Sequence, residues 1–250
     1  MVDVNKILKN NHGLILAYDH GFENGPTEFD ERSVDPKWII EIAESGYFTG
    51  IVCHKGVAAK YFDPKVNKVP LILKLNGKTA YHKKEEPESF QNCSVDEAIS
   101  LGASVVGYTI YVGSEYEQEM IKEFAKIEDE AHKKGIIVMA WMYPMGSHIK
   151  NDTEKDILAY AARLGMELNA DAINLKYTGD PRSFEWVVKN AGKTKVFVVG
   201  GPRTSTAYQL EDTAKAIIEV GAAGLTIGRN IWQAKHPEEV AKSLAEVIYG

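Results

Sequence analysis

GIIVMAWMYPMGSHIKNDTEKDILAYAARLGMELNADAINLKYTGDP, residues 135–181, reads as one complete β-α-β unit. Two apolar runs of strand length, IIVMAWMY (136–143) and AINLKY (172–177), flank a helical pattern that closes near Gly165. Asp180-Pro181 then sets a capping residue before a proline at the first helical position, so another helix begins at once. Strand, helix and strand in that order form a parallel pair with the helix covering one face.

Outward from this unit the same alternation fills the chain. The other runs are LILAYD (14–19), GIVCHK (50–55), LILKLN (71–76), VVGYTIY (105–111), KVFVVGG (195–201) and GLTIGRN (224–230). Asp35-Pro36 repeats the helix start, SVDE at 94–97 reads as a capping box, and Pro237 opens the last helix. In the 115–134 helix, Met120, Phe124, Ile127 and Ala131 recur at helical spacing and mark a buried face. Gly46, Gly102, Gly135, Gly165 and Gly221 fall near helix ends, where left-handed closing residues belong.

Eight such units predict an α/β fold, a single (β/α)8 TIM barrel spanning residues 1–250 as one domain. An open doubly wound sheet would carry a glycine-rich phosphate turn after its first strand. Here that turn is DHGFENGP (19–26), which lacks GxGxxG. Residues 77–92, GKTAYHKKEEPESFQN, break the repeat as a polar excursion, expected to be a solvated loop rather than a functional lid.

Composition sets limits on function. The 250 residues are 44% hydrophobic and 26% charged, ordinary globular usage that excludes a disordered or low-complexity chain. The net charge of −6 leaves no basic footprint for nucleic acid. The longest apolar run stops at Pro144, too short for a membrane span, and MVDVNKILKN has no signal-like stretch. Two cysteines, Cys53 and Cys93, make neither a disulfide framework nor a CxxC zinc motif. A cytoplasmic protein is expected.

Chemistry in such a barrel lies at the carboxyl ends of the strands. The runs end in Asp19-His20, His54-Lys55, Lys74 with Asn76, Tyr108 and Tyr111, Trp141 and Tyr143, Lys176-Tyr177, Gly200-Gly201, and Gly228-Arg229-Asn230. Side chains alternate along a strand. Asn174 and Lys176 therefore face inward against Ile173 and Leu175, Met139, Trp141 and Tyr143 share a face, and Lys74 and Asn76 oppose Leu73 and Leu75.

A lysine inside a barrel is costly while charged, and desolvation beside another cation frees its amine as a nucleophile. Lys74 and Lys55 are the candidate neighbours of Lys176. A lysine simply paired with a carboxylate such as Asp19 is the competing reading. The last two runs end in GGPRT and GRN before helical patterns, which suits phosphate, with Arg229 adding a charge-assisted bond. The competing reading is tight turns alone. His20, His54 and Asp19 make a weaker metal candidate, because none of the histidines has HxH or HxxxH spacing. Trp141 serves equally as a positioning wall or as barrel filling, and the phenol of Tyr143 suits proton transfer.

LILAYDHG, LILKLNGKT, NCSVDEAISLGAS, VGYTIYVGS, WMYP, LKYTGDP, VGGPRT and GRNIWQ, in this order from about residue 12 to 250, resemble the archaeal-type class I fructose-1,6-bisphosphate aldolases. The resemblance implies a (β/α)8 barrel, no metal or other cofactor, and an imine formed by Lys176. It implies proton transfer by Tyr143, assistance by Asp19 and substrate positioning by Trp141. Gly200, Gly201, Gly228 and Arg229 match the region that binds the phosphate of dihydroxyacetone phosphate, and His20 and Lys74 are expected to contribute to substrate binding. It also implies a homo-oligomer, a decamer of two stacked rings. Two positions depart from the pattern: Met145 stands where an arginine is usual, and Arg203 replaces a lysine. Met145 removes a charge for the aldehyde-side phosphate, which His148 or Lys150 is left to supply. The nearest alternatives are a related aldolase or transaldolase on another phosphorylated ketose, such as the aromatic-precursor synthase, and a non-catalytic barrel that binds phospho-sugars.

Overall fold

In the computed structural model, residues 2–82, 85–201 and 207–250 are described. Eight parallel strands close into a barrel in chain order, with β1 hydrogen-bonded to β8. They are β1 (Gly13–Ala17), β2 (Gly50–His54), β3 (Leu71–Lys74), β4 (Ala103–Val112), β5 (Ile137–Pro144), β6 (Ala172–Leu175), β7 (Lys195–Val199) and β8 (Gly224–Ile227). A single helical turn, α1 (His20–Glu23), follows β1, and α2 (Pro36–Ala43), α3 (Lys55–Tyr61), α4 (Val95–Ser100) and α5 (Glu117–Lys133) follow in order. The chain continues through α6 (Lys155–Glu167), α7 (Pro181–Asn190), α8 (Ala207–Glu219), α9 (Arg229–Trp232) and α10 (Pro237–Tyr249). Each of the eight apolar runs is a strand, and the open-sheet alternative is gone.

Helix starts follow the side chains. Asp35 accepts from the Lys37 N–H and Asp180 from the Ser183 N–H, each just before a proline that has no N–H to satisfy. Ser94 accepts from the Glu97 N–H as a capping box requires, but the Glu97 carboxylate turns to Lys55 instead. The predicted face of α5, Met120, Phe124, Ile127 and Ala131, is buried.

Strand parity separates two apolar cores. Ile15, Val52, Ile72, Val105, Ile137, Met139, Trp141, Ala172 and Phe197 fill the barrel, and Val2, Val4, Ile7 and Leu8 pack on them. The alternate positions, among them Leu73, Leu75, Ile173 and Leu175, join the helices in the outer core. Each fully buried Leu, Ile or Phe contributes roughly 1.5–3 kcal/mol, and the packed interior leaves the open end to chemistry.

One glycine has a different role from the one expected. Gly46, Gly102, Gly135 and Gly221 do take positive φ at helix ends, but Gly165 lies inside α6. A Cβ there would sit 2.7 Å from Ile173 Cγ2 and 3.1 Å from Met142 Cγ, so the glycine lets α6 press onto β5 and β6. Asn169 at φ 63° takes the left-handed position beyond that helix. Gly165→Ala is expected to cost a net ~1 kcal/mol despite its better helix propensity. Thermal melting should fall by roughly 2–4 °C, and an unchanged or higher Tm would contradict this packing account.

Candidate active site

A cavity of about 790 Å³ opens at the carboxyl ends of the strands. Asp19, His20, Trp141, Tyr143, Lys176, Gly200, Gly201, Gly228 and Arg229 all line it, contributed by β1, β5, β6, β7 and β8 and the turns that follow them. Arg203 of the GGPRT motif lies outside the described residues.

Lys176 follows β6 directly. Its side chain is about one-third exposed, and its Nζ is ion-paired with Asp152 of the loop after β5. Two features expected around it are found elsewhere. Lys55 opens α3, pairs with Glu97 at 3.2 Å and is not on the cavity wall. Lys74 is the desolvated lysine: it is wholly buried, 2.9 Å from Glu23 Oε1 and 3.3 Å from Asp19 Oδ2, with its Nζ 4.4 Å from the Trp141 ring centroid. Burial alone would lower its pKa, but the Glu23 and Asp19 carboxylates outweigh that and raise it. Lys74, expected at the substrate, is therefore a buried charged strut that does not line the cavity. The pairing with Asp19 that competed for Lys176 is realised by Lys74.

The strut separates the two carboxylates electrostatically. Burial works to raise Asp19, yet Lys74, His20 and His54 together hold it below the ordinary carboxylate range. Burial raises Glu23, and the nearby Asp19 charge adds to the shift against the pull of Lys74. Tyr143 is pushed well above the ordinary phenol value by burial and by Glu23 and Asp19, so it stands as a protonated hydrogen-bond donor. Trp141 covers Gly107, where a Cβ would meet its Cζ3 at 2.6 Å.

The anion side is built by close approach. A Cβ on Gly228 would meet His20 Cε1 at 2.5 Å and Ala17 O at 2.6 Å, so only glycine fits at the entry to α9. Gly201 takes φ 62°. Arg229 Nη1 binds Glu28 Oε1 at 2.7 Å, which leaves other donors of its fork for a ligand. The His20 ring packs edge-on against Trp232 at 5.3 Å.

The histidines do not converge as metal ligands. Burial pulls His54 down to about 4, and its ring lies 4.7 Å from Phe22. Among the described residues no three His, Cys, Asp or Glu side chains form a group able to hold a metal ion. Tyr108 turns outward, donating to Glu123 at 2.6 Å, whereas Tyr111 lines the cavity.

The excursion after β3 proves to be more than a solvated loop. Asn76 pairs with Gln91, and the Asn92 N–H donates to Leu75 O at 2.7 Å, so its ends are tied together like those of an Ω-loop. Lys78, Thr79 and Ala80 within it line the cavity. Met145 is on the wall, whereas His148 and Lys150, the expected replacements for the arginine, are exposed and do not line the cavity. Glu23, Glu28 and Asp152 carry no sequence motif that singles them out; the polar turn DHGFENGPTE after β1 is the signal for the two glutamates.

Comparison with known proteins shows the family and the fold. A family model described as DeoC/LacD family aldolase matches residues 13–234. Fructose-bisphosphate aldolase class 1 of Thermoproteus tenax is 48% identical over 95% of this chain and 89% of its own. The enzyme of the same name from Halobacterium salinarum is 40% identical over 94% of this chain and 90% of its own. A solved archaeal fructose-1,6-bisphosphate aldolase, whose catalytic Lys is covalently bound to the carbinolamine intermediate of the substrate, superposes with a TM-score of 0.94. It is 46% identical and covers 98% of both chains. Among the described residues no helix is long and apolar enough to cross a membrane.

Proposed function

We infer, from the premise that this chain belongs to the DeoC/LacD family of aldolases, that it is a class I aldolase acting through a Schiff base. It reversibly cleaves fructose 1,6-bisphosphate to dihydroxyacetone phosphate and glyceraldehyde 3-phosphate. The observation that carries this reading is one cavity wall that joins Lys176, Tyr143 and Asp19 to Gly200, Gly201, Gly228 and Arg229. A nucleophile, a proton donor and an anion cradle thus face the same space.

In the cleavage direction the Lys176 amine adds to the C2 carbonyl, and the carbinolamine loses water to give the iminium. The positive nitrogen then accepts the electron pair of the C3–C4 bond, which is the charge change the site must favour. Tyr143, held protonated by its surroundings, donates to the leaving hydroxyl of the carbinolamine. Asp19, kept ionised by Lys74, supports the iminium charge, and Trp141 forms a wall for the sugar. Arg229 and the glycine turns take the phosphate of dihydroxyacetone phosphate with His20 beside them. Lys78, on the excursion loop, lines the cavity and supplies a positive charge for the aldehyde-side phosphate, where Met145 stands in place of the usual arginine.

Two buried, unpaired cysteines suit a reducing cytoplasm, and a homo-oligomer, a decamer in the related enzymes that the sequence resembles, is the expected assembly. Cleavage assayed across a panel of ketose phosphates tests the substrate. Preference for fructose 1,6-bisphosphate supports the reading, and a transaldol reaction without that cleavage points to the aromatic-precursor branch. Tyr143→Phe removes one hydroxyl and is expected to lower kcat by ~10²-fold with a smaller change in KM. A Tyr143→Phe enzyme with full kcat would remove the phenol from the mechanism.

A further inference from the structure

The cavity wall assigned to the aldehyde-side phosphate stands on loops. Lys78, Thr79 and Ala80 belong to the excursion after β3, and Met145 lies just beyond β5. The strand ladders do not reach these residues, so other contacts must fix one loop against the other. The return limb of the excursion, residues 85–92, supplies them. The wholly buried Asn76 donates to Ser89 O and to Thr109 O, each at 2.9 Å, and the Gln91 N–H donates to Glu123 at 2.7 Å. Ser114, in the turn after β4, donates its hydroxyl to Pro87 O. Glu86 carries the stitching across to β5. Its Oε1 accepts the Ser147 N–H at 2.7 Å, and its Oε2 accepts the Glu115 N–H at 3.4 Å. Hydrogen bonds from the Ser147 side chain and from the Ser147 and Glu115 backbones hold this carboxyl below the usual range. Ser147 is two residues beyond Met145. Gly146 between them packs so closely on the β4 turn that a Cβ there would sit 2.3 Å from Gly113 O. On the other limb Thr79, Ala80 and Tyr81 share a cavity wall with Glu85, so the two limbs face each other.

Resting on the aldolase reading above, we propose that Glu86 is a positioning residue for the aldehyde-side phosphate, a latch that joins the excursion carrying Lys78 to the loop after β5. Glu86 does not line the active-site cavity and touches no part of the sugar. It acts through Lys78, by holding the excursion in place before the sugar arrives, so that binding does not have to order the loop. Its charge is turned onto backbone donors rather than into the cavity, where a carboxylate would repel a phosphate. The latch also explains how the wall tolerates Met145. The backbone beside Met145 is the Glu86 partner, so this stretch fixes the excursion even though its side chain carries no charge.

Glu86→Ala is expected to raise KM for fructose 1,6-bisphosphate ~10-fold while kcat stays within ~3-fold of wild type, because only binding is disturbed. Fructose 1-phosphate has the same phosphate at C1 and none at C6, so its KM and kcat should move by less than ~2-fold. Glu86→Gln keeps an oxygen for the Ser147 N–H and should restore most of the lost affinity. In a Lys78→Ala background, Glu86→Ala should add less than ~2-fold, since the charge it positions is gone. A KM for the bisphosphate within ~2-fold of wild type in Glu86→Ala overturns the proposal. So does an equal loss on the two sugars, which makes Glu86 a general support, and so does a full ~10-fold effect on top of Lys78→Ala. Should Glu86→Ala melt early, Ser114→Ala, which removes the hydroxyl bound to Pro87 O, is measured instead. It is expected to show the same split between the sugars, and an equal loss on both overturns the proposal. A wild-type protein that cleaves neither sugar overturns the aldolase reading and the proposal with it. Loss of the split with wild-type cleavage intact overturns the proposal alone.

Discussion

Borohydride added to the wild-type protein with fructose 1,6-bisphosphate is expected to fix the sugar to Lys176, and Lys176→Met is expected to lose at least ~10⁴-fold in kcat. The size follows from the chemistry, since without an amine there is no iminium to draw electrons from the C3–C4 bond. The remaining groups then only bind the sugar. The protein carries its own control. Lys74 also turns into the barrel, but it is wholly buried and held by two carboxylates, so its Nζ is not free to add to a carbonyl. Lys176 is about one-third exposed on the cavity wall with one carboxylate partner, Asp152, that a substrate can displace. Peptide mapping of the reduced adduct should find the label on Lys176 and none on Lys74. An adduct on Lys74, or full activity of Lys176→Met, would defeat the mechanism. In Lys176→Met the substrate should still bind, because Arg229 and the turns at Gly200, Gly201 and Gly228 are untouched.

That contrast between two lysines shows how far the sequence could be read. Period-2 alternation places Lys74 and Lys176 on inward faces, and both face inward. Parity follows from the strand backbone alone, so it survives without knowledge of any contact. The same logic gave the eight strands, the Asp-Pro helix starts and the wall positions of Asp19, Trp141 and Tyr143. What covers each lysine is decided by loops. Glu23 lies 51 residues before Lys74 and Asp152 lies 24 before Lys176. Neither distance has a period that a sequence pattern reports. Gly165 failed for a related reason: a glycine near a helix end and a glycine pressed against a strand look alike until Ile173 and Met142 are placed beside it. The excursion at 77–92 read as solvated because it is polar, yet a wall that receives a sugar phosphate is polar as well.

Removing the ammonium that joins the two carboxylates should be the most destabilising single change near the site. Lys74→Met is expected to cost ~3–5 kcal/mol at neutral pH, because it leaves Asp19 and Glu23 buried together without their cation. The pH dependence identifies the cause. In the wild type, burial and Lys74 pull His54 from 6.5 to about 4. Between those values the unfolded chain binds the proton that the folded one refuses, so stability falls as pH drops through that window. Asp19, held low, adds a loss of the same sign at lower pH. In Lys74→Met the sign for Asp19 reverses, and Glu23, already raised in the wild type, loses the one cation that held it down. Burial and mutual repulsion raise both groups above their unfolded values, so the folded state takes up protons first and is relieved as pH falls. The deficit against wild type, read from urea midpoints, should therefore be largest near pH 7.5 and at least ~1 kcal/mol smaller near pH 5.5. A deficit equal at both pH values would mean that lost packing against Trp141, not stranded charge, dominates the Lys74 contribution. Activity should fall together with stability at neutral pH, since the same ammonium fixes the Asp19 and Glu23 carboxylates on the cavity wall.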